Sequence, residues 1–441
     1  MTNKANKANK KNRVIRMLVS MSLVLLMSIG FTGSLFAEFG PITWDTGKEG
    51  EPAKAAITKW LRMGESSKPP TARFDFLFAP VSVDGKTGET DKNTMPKIGG
   101  DTWTLSANFL STDQTQMANG IEYIYKEVDI LSGIEWPHAG VYVYRVKEVE
   151  NTYTIVDSFM EDMSYSKAEY DLYVFVKNGL LKPYVYAASA IIRVKDVIHE
   201  DEDVGTKVDP TPGGNGKEYF TSQMIFTNDY LKRTPKGVDP DDSALVISKM
   251  VDDEHGFVNE SMYFTFSITV SNPTILVDAN KKYKAFVLDS SDKVVTNADN
   301  YAGFLTGPMG AYIEFTTGAP LSVNLKHEQR LSFIDMYVGG YFTVTESAYA
   351  DFTPKVALTI NGITNTRTGS LGAAFTVPET GKAPLGELDN IAAFTNMYKT
   401  ITPTGIVVDN PPFIAMMIVA LGALTGFVAL KSRKQRHDDA E

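Results

Sequence analysis

Two sets of three residues in this sequence have types and spacing that could do covalent chemistry with one another. A Lys stands two residues after an Ile in Ile57-Thr58-Lys59 and again in Ile247-Ser248-Lys249. On a strand, where side chains alternate, Lys59 shares a face with Ile57 and Leu61, and Lys249 with Ile247 and Val251. A Glu follows on an apolar face in each half: Tyr144, Val146 and Glu148 point one way, as do Phe342, Val344 and Glu346. An Asn comes last, between Phe226 and Tyr230 for Asn228, and between Phe394 and Tyr398 for Asn396. Burying a Lys, a Glu and an Asn is costly unless they satisfy one another. The chemistry that uses this trio is an intramolecular amide bond. An uncharged Lys amine attacks the Asn carboxamide carbon, the Glu relays protons, and ammonia leaves. Burial among aromatics favours it, because desolvation lowers a Lys pKa and raises a Glu pKa.

The elements that must position these residues read as strands. Phe74, Phe76 and Phe78 alternate with polar or neutral residues, and so do Phe264, Phe266, Ile268 and Val270, a half-buried strand pattern in each case. The order Lys strand, aromatic strand, Glu strand, Asn strand occurs twice, a weak internal repeat. At 441 residues and 43% hydrophobic, with 24 Phe and 20 Tyr, the chain is too apolar for disorder and leans toward β structure. The stretch from Val204 to Lys217, with Pro210, Pro212 and four Gly, reads as a long loop of the first half.

Several chemistries are excluded. There is no cysteine, so no disulfide or thiolate. The 53 acidic residues outnumber the 43 basic ones, and six basic residues sit in the first 37 positions, so the rest of the surface repels nucleic acid. The five histidines (His138, His199, His255, His327, His437) show no metal-ligand spacing. The run His199-Glu200-Asp201-Glu202-Asp203 lacks the Gly and spacing of a calcium loop. Neither Gly-x-Ser-x-Gly nor a phosphate loop is present. We expect no cofactor, no metal and no enzyme activity beyond self-made amide bonds.

Both ends read as processing signals. A basic stretch, the apolar run Met17 to Ile29 and small residues to Ala37 make residues 1–37 a signal peptide. Phe413 to Leu430 is a charge-free run of 18 residues, about 27 Å as a helix and just enough to span a bilayer. Lys431, Arg433 and Lys434 follow, which leaves the tail in the cytoplasm and the bulk outside. Thr402-Pro403-Thr404-Gly405 precedes the run, and this order resembles the sorting signal of Gram-positive surface proteins, although no Leu leads and Pro403 directly precedes Thr404. The resemblance implies cleavage between Thr404 and Gly405 by a sortase, so that the membrane holds the chain only before sorting.

The doubled Lys, Glu, Asn order, the Phe-Thr-Asn-x-Tyr endings and the Gly-x-Tyr-x-Tyr strand resemble the streptococcal pilin isopeptide-linker domains of T-antigen-like major pilins, and more distantly the B-type domains of collagen adhesins. The resemblance covers about residues 50 to 400. It implies two tandem immunoglobulin-like β-sandwiches, 50–235 and 240–400, with the Lys on the first strand and the Asn on the last, followed by a sorting region at 401–441. Carried over by position, Lys59 and Asn228 form one isopeptide bond with Glu148 as proton relay, and Lys249 and Asn396 form another with Glu346. Pilins of this type also present a surface Lys that accepts the next subunit's Thr. No Tyr-Pro-Lys is present here; Lys217 lies within reach, with a solvated loop lysine as the plainer reading. The implied function is structural, on the cell wall or surface of a Gram-positive bacterium: a pilus shaft subunit or wall-anchored stalk whose partners are a sortase and neighbouring pilin subunits or peptidoglycan. The alternative is a sortase-anchored adhesin that presents a face to a host or matrix ligand.

Overall fold

The structure, a computed structural model, describes residues 46–213, 221–235, 239–253, 259–276, 278–398, 415–425 and 427. Among these the chain is nearly all β. The first half runs β1 (Ala56–Gly64), β2 (Ala72–Val83), β3 (Thr104–Phe109), β4 (Gln116–Ala118), β5 (Ile121–Asp129), β6 (Gly140–Glu148), β7 (Glu161–Ser164), β8 (Glu169–Lys177), β9 (Tyr184–Val194), β10 (Lys207–Val208) and β11 (Ile225–Lys232). The second half runs β12 (Leu245–Asp252), β13 (Phe264–Ser271), β14 (Lys282–Leu288), β15 (Leu305–Gly307), β16 (Gly310–Thr316), β17 (Pro320–Leu325), β18 (Gln329–Ile334), β19 (Tyr341–Glu346), β20 (Phe352–Ile360), β21 (Ile363–Thr368), β22 (Phe375–Val377), β23 (Ala383–Pro384) and β24 (Ile391–Tyr398).

Each half folds into two facing sheets. Their strand orders are β4-β5-β1-β11-β7 and β10-β9-β8-β6-β2-β3 in the first half, then β15-β16-β14-β18-β12-β24-β20-β21 and β17-β13-β19-β22 in the second, where β23 also pairs β19. Side chains from both sheets meet in each core. The rings of Phe76 on β2 and Phe226 on β11 are 5.0 Å apart, and those of Phe266 on β13 and Phe394 on β24 are 5.2 Å apart. The all-β structure expected from the alternating pattern and the sandwich that the resemblance implies are what form. In β2 the alternation places Phe74, Phe76 and Phe78 fully inside, with the residues between them more exposed. Each such ring is worth about 1.5–3 kcal/mol of burial.

The first and last strands of each half lie side by side. β1 pairs in parallel with β11, and β12 with β24. A parallel pair cannot be joined by a tight turn, so each pairing closes over everything between its strands. β1 is buried on both faces. On its outer side Trp60 stacks on Tyr123 and Tyr125 at 5.0 and 5.2 Å, and the segment leading to β11 folds back over the strand end. There the Ala56 amide donates to the Pro210 carbonyl, and Ser222 Oγ donates to the Ala56 carbonyl. The expected loop from Val204 thus contains a short strand and a cover for β1; positions 214–217 lie outside the described residues.

The two halves meet at a tight junction. The Thr234 amide donates to the Met336 carbonyl and the Val338 amide to the Lys232 carbonyl, both at 2.9 Å. Gly64 and Gly339 sit face to face. A Cβ added at Gly64 would fall 2.3 Å from the Val338 carbonyl oxygen, and one at Gly339, whose φ is 79°, would fall 2.5 Å from the Cα of Gly64. Glu387 spans the seam, accepting from the Lys68 amide at 2.8 Å and from Lys232 Nζ at 2.9 Å. Tyr341 donates its hydroxyl to Glu65 at 2.8 Å.

Of the expected span at 413–430, residues 415–425 are helical and exposed. Among the described residues no helix is long and apolar enough to cross a membrane, so the span is not supported there. The signal peptide, Thr404 and Gly405 lie outside the described residues.

Glu387→Ala removes two charge-assisted hydrogen bonds from the seam, a loss of about 2 kcal/mol in junction stability. A limiting protease should then cut faster between residues 235 and 239; an unchanged rate would mean that the backbone bonds alone hold the halves together.

Candidate functional site

The parallel pairing sets the geometry of both candidate sites. Lys59 lies opposite Phe226, and Leu61 opposite Asn228. In the second half Lys249 lies opposite Phe394, and Val251 opposite Asn396. In each case the Asn is two residues past the Lys on the neighbouring strand, and therefore on the same face. The Glu comes from the facing sheet, where Glu148 lies opposite Phe76 and Glu346 opposite Phe266. The register is the same in both halves.

In the first half Lys59 Nζ donates to Glu148 Oε2 at 2.8 Å, and Asn228 Nδ2 donates to Glu148 Oε1 at 2.7 Å. In the second, Lys249 Nζ and Asn396 Nδ2 both donate to Glu346 Oε1, at 2.7 and 2.9 Å. All six side chains are buried, and the two lysines are fully so at 0% exposure. Each amine sits over an aromatic ring, Lys59 at 4.8 Å from the centre of Phe74 and Lys249 at 4.1 Å from that of Phe264. Burial pushes the Lys59 amine down to about 8, against the pull of the Glu148 carboxylate. The same cause takes Lys249 to about 8. Desolvation raises both Glu carboxyls, opposed by the lysines. In each half an amine whose pKa is pulled down and a carboxyl whose pKa is pushed up stand next to a carboxamide.

The two sites differ on the far side of the Asn. Asn228 Oδ1 accepts from the Ser166 amide at 2.8 Å. Asn396 Oδ1 and Glu346 Oε2 have no hydrogen-bond partner among the described residues. A cavity of about 410 Å³, lined in part by Leu77, Glu148, Ser166 and Ala168, adjoins the first site. Sequence reasoning did not single out Ser166 or the buried Asp196 behind it, and no motif could have, since both lie outside the four repeated strands.

Thus Lys59, Glu148 and Asn228 are brought together, as are Lys249, Glu346 and Asn396. Lys217, Thr404, Gly405, His255 and His437 lie outside the described residues. His199 is buried, with its ring nitrogens on Glu202 and the Gln223 carbonyl. Among the described residues no group of three metal-capable side chains gathers.

Fold and site together define an all-β protein of paired sandwiches, each with a buried Lys, Glu and Asn bridging its two sheets. Residues 243–380 match the model of a domain of unknown function, DUF7601. No curated protein matches. Among solved structures the chain is similar to the major pilin from Streptococcus pyogenes, at 18% identity over 79% of this chain and 99% of that one, with a TM-score of 0.30. It is similar also to the major pilin protein T3.2 of Streptococcus pyogenes serotype GAS13637, at 15% identity over 79% and 98% of the two chains, TM-score 0.29. A pilus-presented adhesin matches at 16% identity over 53% of this chain and 36% of that one, TM-score 0.23. What the two sites do is a matter of their own geometry.

The double variant Asn228→Ala, Asn396→Ala leaves both amines free to titrate. An amine at about 8 in the fold and about 10.5 unfolded binds fewer protons when folded anywhere between those values. Stability must therefore rise with pH across that window and be lost as pH falls through 8. The urea midpoint should be higher at about pH 9.5 than at about pH 8; a midpoint that stays flat would show the amines remain charged inside.

Proposed function

We propose that this protein is a structural component of the cell surface, built as two domains at about 50–235 and 240–400, each closed by a self-formed isopeptide bond. The observation that carries the reading is the duplicated buried site: two Lys-Glu-Asn sets in the same register, each spanning the two sheets, with the amines pushed toward neutrality. Neutral Lys59 Nζ attacks the Asn228 side-chain carbon, Glu148 takes the proton released by the amine and hands it to the departing nitrogen, and ammonia leaves. Lys249, Glu346 and Asn396 do the same in the second domain. A structural ion pair is the alternative for each set, but a salt bridge needs no carboxamide, and each Glu here holds one as well as its Lys.

A bond from Lys59 to Asn228 closes a loop of about 170 residues, worth about 5 kcal/mol by the chain-entropy relation for cross-links. It also joins the first strand to the last, the parallel pair that a force pulling on the two ends of the half would load in shear. Such a domain suits a pilus shaft subunit or a wall-anchored stalk. In this reading residues 1–37 direct export, the apolar run at 413–430 holds the chain at the membrane, and a sortase thiol attacks the Thr404 carbonyl carbon, breaking the bond to Gly405. The acyl group then passes to a Lys of another copy or to peptidoglycan. Singly anchored chains that present a binding face are the second arrangement, and cell-wall extracts separate the two by whether they run as a high-mass ladder.

Intact-mass measurement of the purified protein should show the loss of two ammonia molecules without any added enzyme, and peptide mapping should recover Lys59 joined to Asn228 and Lys249 joined to Asn396. Glu148→Ala should abolish the first link and leave the second, since the departing nitrogen then has no proton donor. An unmodified mass in the folded protein would end the isopeptide assignment.

Muramidase-released wall fractions should contain peptides that end at Thr404 in amide linkage. Chains still carrying Glu441 as the main surface form would mean that no sortase acts here.

A further inference from the structure

The two candidate sites are alike in Lys, Glu and Asn, yet among the described residues only the first gives its Asn carbonyl oxygen a donor. We infer that the Ser166 backbone N–H is an oxyanion donor for the first isopeptide bond, and that Asp196 is the positioning residue that holds it there. The inference rests on the proposed bond-forming reaction and adds to it a group from outside the Lys-Glu-Asn set.

When Lys59 Nζ bonds to the Asn228 side-chain carbon, the carbonyl π pair moves onto Oδ1. The negative charge therefore develops on the atom that already accepts from the Ser166 amide at 2.8 Å. As the intermediate collapses, the pair returns, the bond to Nδ2 breaks, and the nitrogen leaves as ammonia with the proton relayed by Glu148. Atoms and charge balance without a co-reactant. A fixed donor aimed at a developing oxyanion in a water-excluded site is among the largest single contributions to acyl-transfer rates.

The donor is not placed by strand pairing, because Ser166 lies in the turn between β7 and β8. It is held by a single carboxylate. Asp196, 3% exposed, accepts from Ser166 Oγ at 2.7 Å and from the Thr227 amide at 2.9 Å on one oxygen. Its other oxygen accepts from Thr227 Oγ1 at 2.6 Å and from the Ile198 amide at 3.2 Å. One group thus ties the residue that donates to the residue next to the acceptor, and both its oxygens are satisfied by hydrogen bonds. In the second half Asn396 Oδ1 is buried and, among the described residues, has no partner. The structure therefore assigns the first bond an assisted reaction and the second an unassisted one.

The test follows both links in the same full-length chain. Pulsed cell-free synthesis is quenched at intervals, and the Lys59–Asn228 and Lys249–Asn396 peptides are counted by mass spectrometry. Replacing the residue at 166 by the α-hydroxy acid of serine turns its N–H into an ester oxygen and keeps the side chain. The first link should then slow on the order of 10²-fold, while the second keeps its rate. Asp196→Ala should also slow the first link selectively. All four Trp lie in the first half of the sequence, so tryptophan fluorescence reports folding of that half independently. An ester variant with an unchanged first-link rate overturns the inference alone. So does slowing confined to chains with non-native fluorescence, which would make both residues merely structural. Absence of both links in the wild type overturns the proposed reaction, and this inference with it.

Discussion

Everything in this molecule depends on how it keeps a lysine amine in the middle of each β-sandwich. An ammonium taken out of water needs compensation, and each core provides it in one way: a carboxyl from the facing sheet and an aromatic ring beneath. The carboxyl is itself raised by burial, so neither partner is comfortably charged. Both shifts run in the direction that the proposed amide exchange with the neighbouring carboxamide would need.

The sandwich supplies the third partner through its topology. Because the first and last strands of each half run in parallel side by side, a residue near the start of the fold and one near its end share a face at a spacing of two residues. The Glu enters from the opposite sheet, so the set spans the core as well as the strand pair. The proposed covalent bond at that point would join the strands at the two ends of each half. The register that brings Lys, Glu and Asn together is the same in both halves.

The surroundings of the two sites are nevertheless unlike. The first has a buried carboxylate, Asp196, bonded to the segment before β8 and to the last strand beside the Asn, while in the second the Asn carbonyl and one Glu oxygen are without a partner among the described residues. Between the halves, Gly64 and Gly339 let two backbones approach within a distance no side chain would allow. Glu387 completes the seam between the halves.

The strand faces and the order of Lys59, Glu148 and Asn228, and of Lys249, Glu346 and Asn396, were legible in the linear sequence because a strand's side-chain period is two and short-range. A charged or amide residue flanked at that period by Phe, Tyr and Ile must point inward, whatever the rest of the chain does. The all-β class followed from the same alternation. Tertiary structure alone decided that β1 lies parallel to β11, that Glu148 reaches Lys59 from the other sheet, and that the stretch after Val204 folds back over β1. It also decided the positions of Ser166, Asp196, Gly64 and Gly339. Their places come from turns and seams between distant segments, which packing selects and no local periodicity encodes.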